Sequence, residues 1–234
     1  MPAFTDLEII ALQVAALFTH EGRGRILRVN EPAGATAPRF FLGRTAAGNL
    51  WRFRHDLPDA LVAELDNRAR SEPVETISGR LPRYWEDYHR LLETQEAIQA
   101  VSRGPAYVFP ERLVWPENVV VISQANAHLL PADYADVSAA IEDFAPCIAI
   151  VEDSKAVSIC HSARLTEFAA EAGLETLASY RGRGYATQVS KAWALAVRES
   201  GRLPLYSTSW ENTASQAVAK RLGLRLYAED SEIT

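Results

Sequence analysis

From Leu7 to Phe18 the apolar residues Leu7, Ile10, Ala11, Val14, Leu17 and Phe18 recur at helical spacing and fall on one face. The same period predicts a helix over 59–70 and another over 83–100. In the second, Tyr84, Tyr88, Leu91, Gln95 and Ile98 form a stripe that Trp85 and Leu92 widen. Between these helical stretches, residues 24–54 read as a hairpin, with turn chemistry at 32–35 and 46–49. Trp51 and Phe53 alternate with Arg52 and Arg54, which fits a half-buried strand better than a ligand site. The first part of the chain is thus helix-rich, and a division is expected at Gly104-Pro105. No internal repeat or low-complexity tract is visible.

After that division the spacing changes. A strand is expected over 118–123, then a helix over 132–144 with Tyr134, Val137, Ile141 and Phe144 inward. Two short strands, 147–152 and 155–161, flank Asp153-Ser154 as a two-residue turn. That register sets Ile148 opposite Ile159, Ile150 opposite Val157, and Glu152 opposite Lys155. It also sets Cys147 opposite Cys160, so a disulfide is conceivable. A reducing compartment and strand burial favour two small buried thiols instead, with no catalytic role.

Downstream the order is a strand over 174–179, a glycine-rich turn, and a helix marked by Val189, Ala192, Trp193, Ala196 and Ser200, which Gly201 closes. A strand over 203–209 follows, then a helix opened by Asn212 and ended by Leu222-Gly223, then a strand over 224–227.

Composition narrows the class. With 234 residues and 48% hydrophobic residues, the chain is long enough for one large domain or two small ones. A formal net charge of -6 argues against general affinity for nucleic acid and is compatible with a basic small substrate. The apolar run near the N-terminus is preceded by Asp6 and Glu8 and interrupted by Gln13, unlike a signal peptide. No stretch is long enough to span a membrane, and a cytoplasmic location is expected.

The turn Arg181-Gly182-Arg183-Gly184-Tyr185-Ala186 carries the chemistry. A helix N-terminus presents backbone N–H groups without intrahelical partners and partial positive charge, and small residues let a phosphate approach the main chain. Strand, R-x-x-G-x-A turn, helix, strand, Asn-led helix, Leu-Gly and strand, from about 171 to 227, resemble the C-terminal half of the GNAT superfamily of N-acetyltransferases.

The resemblance implies an α+β fold, with a mixed, mostly antiparallel sheet flanked by helices, in a domain spanning 105–234. Residues 1–104 are then a helix and hairpin region that is a candidate for completing the acceptor site. It implies acetyl-CoA as co-substrate and no metal. Arg181, Gly182, Arg183, Gly184, Tyr185 and Ala186 would meet the pyrophosphate, Thr176 and Leu177 the pantetheine arm, and Asn212 and Ser215 the far side of the cofactor. A bulge near 174–177 would leave a backbone N–H for the thioester oxygen. The family's second helix after its first strand has no counterpart in this sequence. Few residues follow Tyr227, so the N-terminal half or a partner chain is expected to complete the sheet, and a homodimer is compatible with this.

Acetyl transfer to an amine needs a neutral nucleophile, whereas an alkylammonium has a pKa of about 10. Glu171 and Glu175, both leading into the turn, are candidate bases, with His161 as a further one. Many members carry a tyrosine near the end of the Asn-led helix to protonate the leaving thiolate, and the aligned residue is Ala219. Tyr206 on the neighbouring strand, or Tyr185, is the substitute. The expected function is therefore acetyl-CoA-dependent N-acetylation of a small-molecule amine by direct attack, with no nucleic acid or membrane partner. The alternative is a CoA-binding sensor or interaction module that kept the fold without turnover.

Overall fold

The computed structural model describes residues 4–31 and 34–234. Positions 32 and 33 of the turn expected at 32–35 lie outside the described residues. Helix α1 (Asp6–Leu17) starts at a capping box, in which the Glu8 N–H donates to Thr5 Oγ1 at 3.3 Å and the Thr5 N–H donates to Glu8 Oε2 at 2.8 Å. Its buried face is Ile9, Ile10, Gln13, Val14 and Ala16, which keeps Ile10 and Val14 of the expected stripe but is rotated from it: Leu7 is 38% exposed, Ala11 is exposed, and Phe18 already opens a strand. Gln13 tolerates complete burial because its amide is matched on both sides. Tyr227 Oη donates to Gln13 Oε1 at 2.6 Å, and Gln13 Nε2 donates to Asp230 Oδ2 at 3.1 Å.

The single hairpin expected over 24–54 is instead two. β1 (Phe18–His20) pairs antiparallel with β2 (Ile26–Val29), and β3 (Phe40–Thr45) with β4 (Gly48–Phe53). Helix α2 (Asp59–Arg70) has the expected bounds, whereas α3 (Trp85–Glu93) stops well short of position 100. The buried guanidinium of Arg39 takes the carbonyls of Leu92 and Glu96 at 3.0 and 2.9 Å, and that of Ala97 at 3.3 Å, as the chain turns away. β5 (Val101–Val108) follows, so Gly104-Pro105 lies inside a strand.

Next come β6 (Val120–Ile122), two 3-10 turns, and α4 (Ala135–Ala139), much shorter than the helix expected over 132–144. β7 (Cys147–Glu152), β8 (Lys155–Leu165) and β9 (Ala169–Thr176) form an antiparallel meander. Helix α5 (Tyr185–Glu199), β10 (Leu203–Ser207), α6 (Thr213–Leu222) and β11 (Arg225–Ile233) complete the order. Gly201 and Gly223, at φ 82° and 67°, close the two helices as expected.

Two compact units arise from this chain. The first comprises 1–107, 207–213 and 226–234, and the second 108–206 and 214–225. Strands of the first run in the order β4-β3-β11-β5. β11 extends far beyond Tyr227 and pairs with β3 from Ile233↔Phe40 to Glu229↔Arg44, so the N-terminal half supplies the neighbour of the last strand. The core of this unit gathers Phe40, Leu42, Phe53, Leu61, Leu65 and Tyr88, among others.

Strands of the second unit run β10-β9-β8-β7-β6, and helix α5 packs on β7, β8 and β9. The fold is α+β, with antiparallel pairings outnumbering the parallel β9–β10 pair. Asp153 and Ser154 form the expected turn with φ 50° and 60°, and Glu152 pairs with Lys155. Beyond Ile150 a bulge at Val157 shifts the register, setting Cys147 opposite His161 and Cys160 opposite Ile148. The two thiols therefore point to opposite faces of the sheet. Both are free and buried, which removes the disulfide.

Candidate functional site

The parting of two strands positions the candidate site. β10 lies parallel to β9 through Leu203↔Ala169, Pro204↔Ala170 and Leu205↔Glu171, where the described register ends, while β9 continues to Thr176. On its other edge β9 stays paired with β8 up to Thr176↔Ser158. A parallel pair that opens in this way leaves a wedge whose one wall is backbone from Ala172 onward.

The expected bulge is not in β9. The register from Ala172 to Thr176 is regular, and the irregularity lies in β8, where Ala163 is the extra residue between Ser162↔Ala172 and Arg164↔Glu171. Leu177, expected to help supply a spare N–H, donates it to the Val157 carbonyl at 2.9 Å. Thr176 Oγ1 sits 2.7 Å from Ser158 Oγ, and the Thr176 carbonyl accepts from Arg181 Nε at 3.2 Å.

A single 3-10 turn, Ala178–Tyr180, leads into the glycine turn. Gly182 and Gly184 have φ 79° and 81°, a left-handed conformation that side chains with a Cβ disfavour. A Cβ built on either meets nothing within 4 Å, so the turn faces open space. Gly184 is the N-cap of α5 and no side chain caps the helix, whose first intrahelical bond runs from the Gln188 N–H to the Gly184 carbonyl at 3.3 Å. Tyr185 and Ala186 form the start of that uncapped first turn.

Alternation along β9 puts Glu171, Gly173 and Glu175 on one face of the sheet, away from α5. His161 stands opposite Gly173, whose missing side chain makes room for it: a Cβ there would lie 2.6 Å from His161 Cε1. Phe144 meets the imidazole edge to face at 5.5 Å. Burial, with the charge of Arg164 adding to it and that of Glu175 opposing, holds the His161 pKa down to about 4. The phenol of Tyr134 is pushed up, first by burial and then by its hydrogen bond to Glu175. Glu175 is exposed, Glu171 is buried, and the two carboxylates share that face with His161.

On the α5 face, Ser162 accepts from Trp193 Nε1 at 3.2 Å, and Cys160 lies against Ser190. Burial raises both thiol pKa values, that of Cys147 to about 12.

Tyr206 on β10 is buried, with its hydroxyl 2.6 Å from Ser215 Oγ in α6 and its ring against Phe109. Ala219 is also buried. Asn212 belongs with the first unit, where its N–H meets Ser209 Oγ and the Ser209 carbonyl, each at 3.2 Å. Glu171, Glu175, Thr176, Leu177, the 181–186 turn, Tyr206 and Ser215 all fall in the second unit, and of these Tyr206 and Ser215 touch one another.

Glu152, at the end of β7, was not among the residues expected at the site. It accepts a short hydrogen bond from Tyr185 Oη and pairs with Arg183 at 3.6 Å. Its pairing with Lys155 was legible in the sequence, but nothing local links it to a turn more than thirty residues away.

Residues 132–229 match the family model described as GNAT acetyltransferase. This part of the chain is similar to the GNAT acetyltransferases. Among solved structures, a GCN5-related N-acetyltransferase from Kribbella flavida is similar, with 15% identity, a TM-score of 0.48, and coverage of 100% of this chain and 96% of that one. A GCN5-related N-acetyltransferase-like protein from Streptococcus suis is 16% identical, with a TM-score of 0.48 and 85% of each chain covered. A GNAT-family protein from Novosphingobium aromaticivorans is 16% identical with a TM-score of 0.45, and this chain spans 65% of its length and 58% of its own. No curated protein matches the sequence. Among the described residues, no group of three or more His, Cys, Asp or Glu gathers as a metal site, and no helix is long and apolar enough to cross a membrane.

Proposed function

We propose that the protein transfers an acetyl group from acetyl-CoA to the amine of a small acceptor, by direct attack and without an acyl-enzyme. The similarity to the GNAT acetyltransferases supports the transferase class. The observation that carries the cofactor is the parting of β10 from β9 after Leu205↔Glu171, directly before a helix whose glycine-rich first turn is uncapped and faces open space.

Bound acetyl-CoA supplies an acetyl group already activated as a thioester. Arg181 through Ala186 would hold its pyrophosphate, and the edge of β9 that β10 leaves, near Thr176 and Leu177, its pantetheine arm, with Ser215 as a further contact. Glu175 or Glu171 would take the proton of the attacking amine, directly or through water. Glu175 fits better, because it is exposed, whereas Glu171 is 4% exposed. Tyr206 would return a proton to the departing thiolate. We further propose a small cationic acceptor, a cytoplasmic location, and no nucleic-acid or membrane partner. A homodimer is compatible with this reading.

One observation favours a second reading, a CoA-binding sensor without turnover: the buried Ala219 stands where the resemblance puts a tyrosine acid. Thiol release from acetyl-CoA, followed across a panel of amines, amino acids and aminoglycosides, separates the two. Acceptor-dependent release supports the transferase, and saturable binding without release for any acceptor supports the sensor.

A further inference from the structure

One carboxylate reaches both residues that flank the N-cap glycine of α5. Glu152 closes β7 at the Asp153-Ser154 turn. One of its oxygens accepts from the hydroxyl of Tyr185, the first residue of α5, and the other lies 3.6 Å from Nη1 of Arg183. Arg183 is otherwise only loosely held: its guanidinium lies over the Tyr180 ring at 4.8 Å, Nη2 reaches the Ser179 carbonyl at 3.4 Å, and its side chain is 50% exposed. Glu152 also lines a cleft of about 430 Å³ that reaches Tyr185 and includes Glu117. This flank of the turn is therefore acidic, although Lys155 stands opposite Glu152 in the hairpin.

We propose that Glu152 sets the affinity of the turn for CoA by competing, as an internal anion, with the cofactor's phosphates for Arg183 and for the positive end of α5. The inference rests on the reading of the turn as a CoA site. A half-exposed ion pair at 3.6 Å contributes little to holding Arg183 in place. CoA brings several phosphate charges to the same helix end, and the carboxylate repels each of them through the same solvent, whereas it holds only one guanidinium. Competition therefore outweighs bracing.

The test is calorimetric titration of CoA, and of pantetheine as the same arm without phosphates, into the wild type, Glu152→Gln and Glu152→Asp. Glu152→Gln keeps an acceptor for Tyr185 and removes the charge. It is expected to bind CoA about fivefold more tightly at low salt, with a smaller gain at high salt and none for pantetheine. Glu152→Asp, which keeps the charge, is expected to stay near wild type. Unchanged or weaker CoA binding by Glu152→Gln, or equal tightening in Glu152→Asp, overturns the role of Glu152 while leaving the CoA site intact. Failure of the wild type to bind CoA at all removes both.

Discussion

The hydroxyl of Tyr206 lies 2.6 Å from Oγ of Ser215, joining β10 to the helix that follows it. Tyr206 is buried with its ring against Phe109, so the phenol is fixed rather than free to swing. If it returns the proton to the leaving thiolate, Tyr206→Phe lowers kcat about tenfold or more while KM for acetyl-CoA changes little. A thiol has a pKa of about 8.5 and leaves as thiolate without help, so some activity remains. Steady-state kinetics with both substrates varied would reveal this. A loss confined to KM would instead assign the tyrosine to binding.

His161 makes stability depend on pH. Its ordinary pKa of 6.5 is lowered to about 4 in the folded protein, so the neutral imidazole belongs to the native state and the unfolded chain takes up a proton first as pH falls. The corresponding stabilisation is full above about pH 6.5 and is lost as pH falls through about 4, a total of about 3 kcal/mol. Carboxylates add their own dependence in this range, so the comparison is with His161→Gln. Urea unfolding at pH 7 and pH 4.5 should show wild type losing about 2 kcal/mol more than the variant. Equal losses would place the imidazole in water.

Gly104 is a packing requirement within the first unit. A Cβ there would sit 1.6 Å from the Thr208 carbonyl oxygen and 2.9 Å from the Ser209 Cα, both backbone atoms with little room to yield. Gly104→Ala is expected to destabilise by about 3 kcal/mol or more, or to prevent folding. Chemical denaturation monitored by circular dichroism measures it. A change below about 1 kcal/mol would mean that the two segments lie farther apart.

Where local signals agreed with tertiary context, the sequence was easily read. Asp59 to Arg70 has helical periodicity and is followed by Ser71 and a turn, and its helix has the expected bounds. The glycine turn and Gly201 punctuate α5 in the same way. Elsewhere, distant partners decided the outcome. α3 ends where Arg39 captures the Leu92 carbonyl and, just past the helix, that of Glu96. β9 begins at Ala169, through small residues with low intrinsic strand preference that α5 and β8 cover. β11 continues through Glu229, which charge pairs with Arg44 and Arg103 hold in a buried position, and through Asp230, which Gln13 meets. A strand carrying such carboxylates cannot be read from its own pattern. The site shows the same division: the turn and its glycines were legible, whereas the bulges at Val157 and Ala163, which moved the cysteines apart and left β9 regular, come from strand pairing alone.

On the proposed reading, the turn from Arg181 to Ala186 binds acetyl-CoA. The most direct measurement is calorimetric titration of acetyl-CoA into the wild type and Gly184→Val, with circular dichroism to establish that the variant is folded. A Val at φ 81° is strained and places its side chain in the open space beside the α5 N-terminus. One-to-one binding by the wild type, weakened about a hundredfold or lost in the folded variant, is the predicted result. No binding by the wild type, or equal affinity in both proteins, would contradict it.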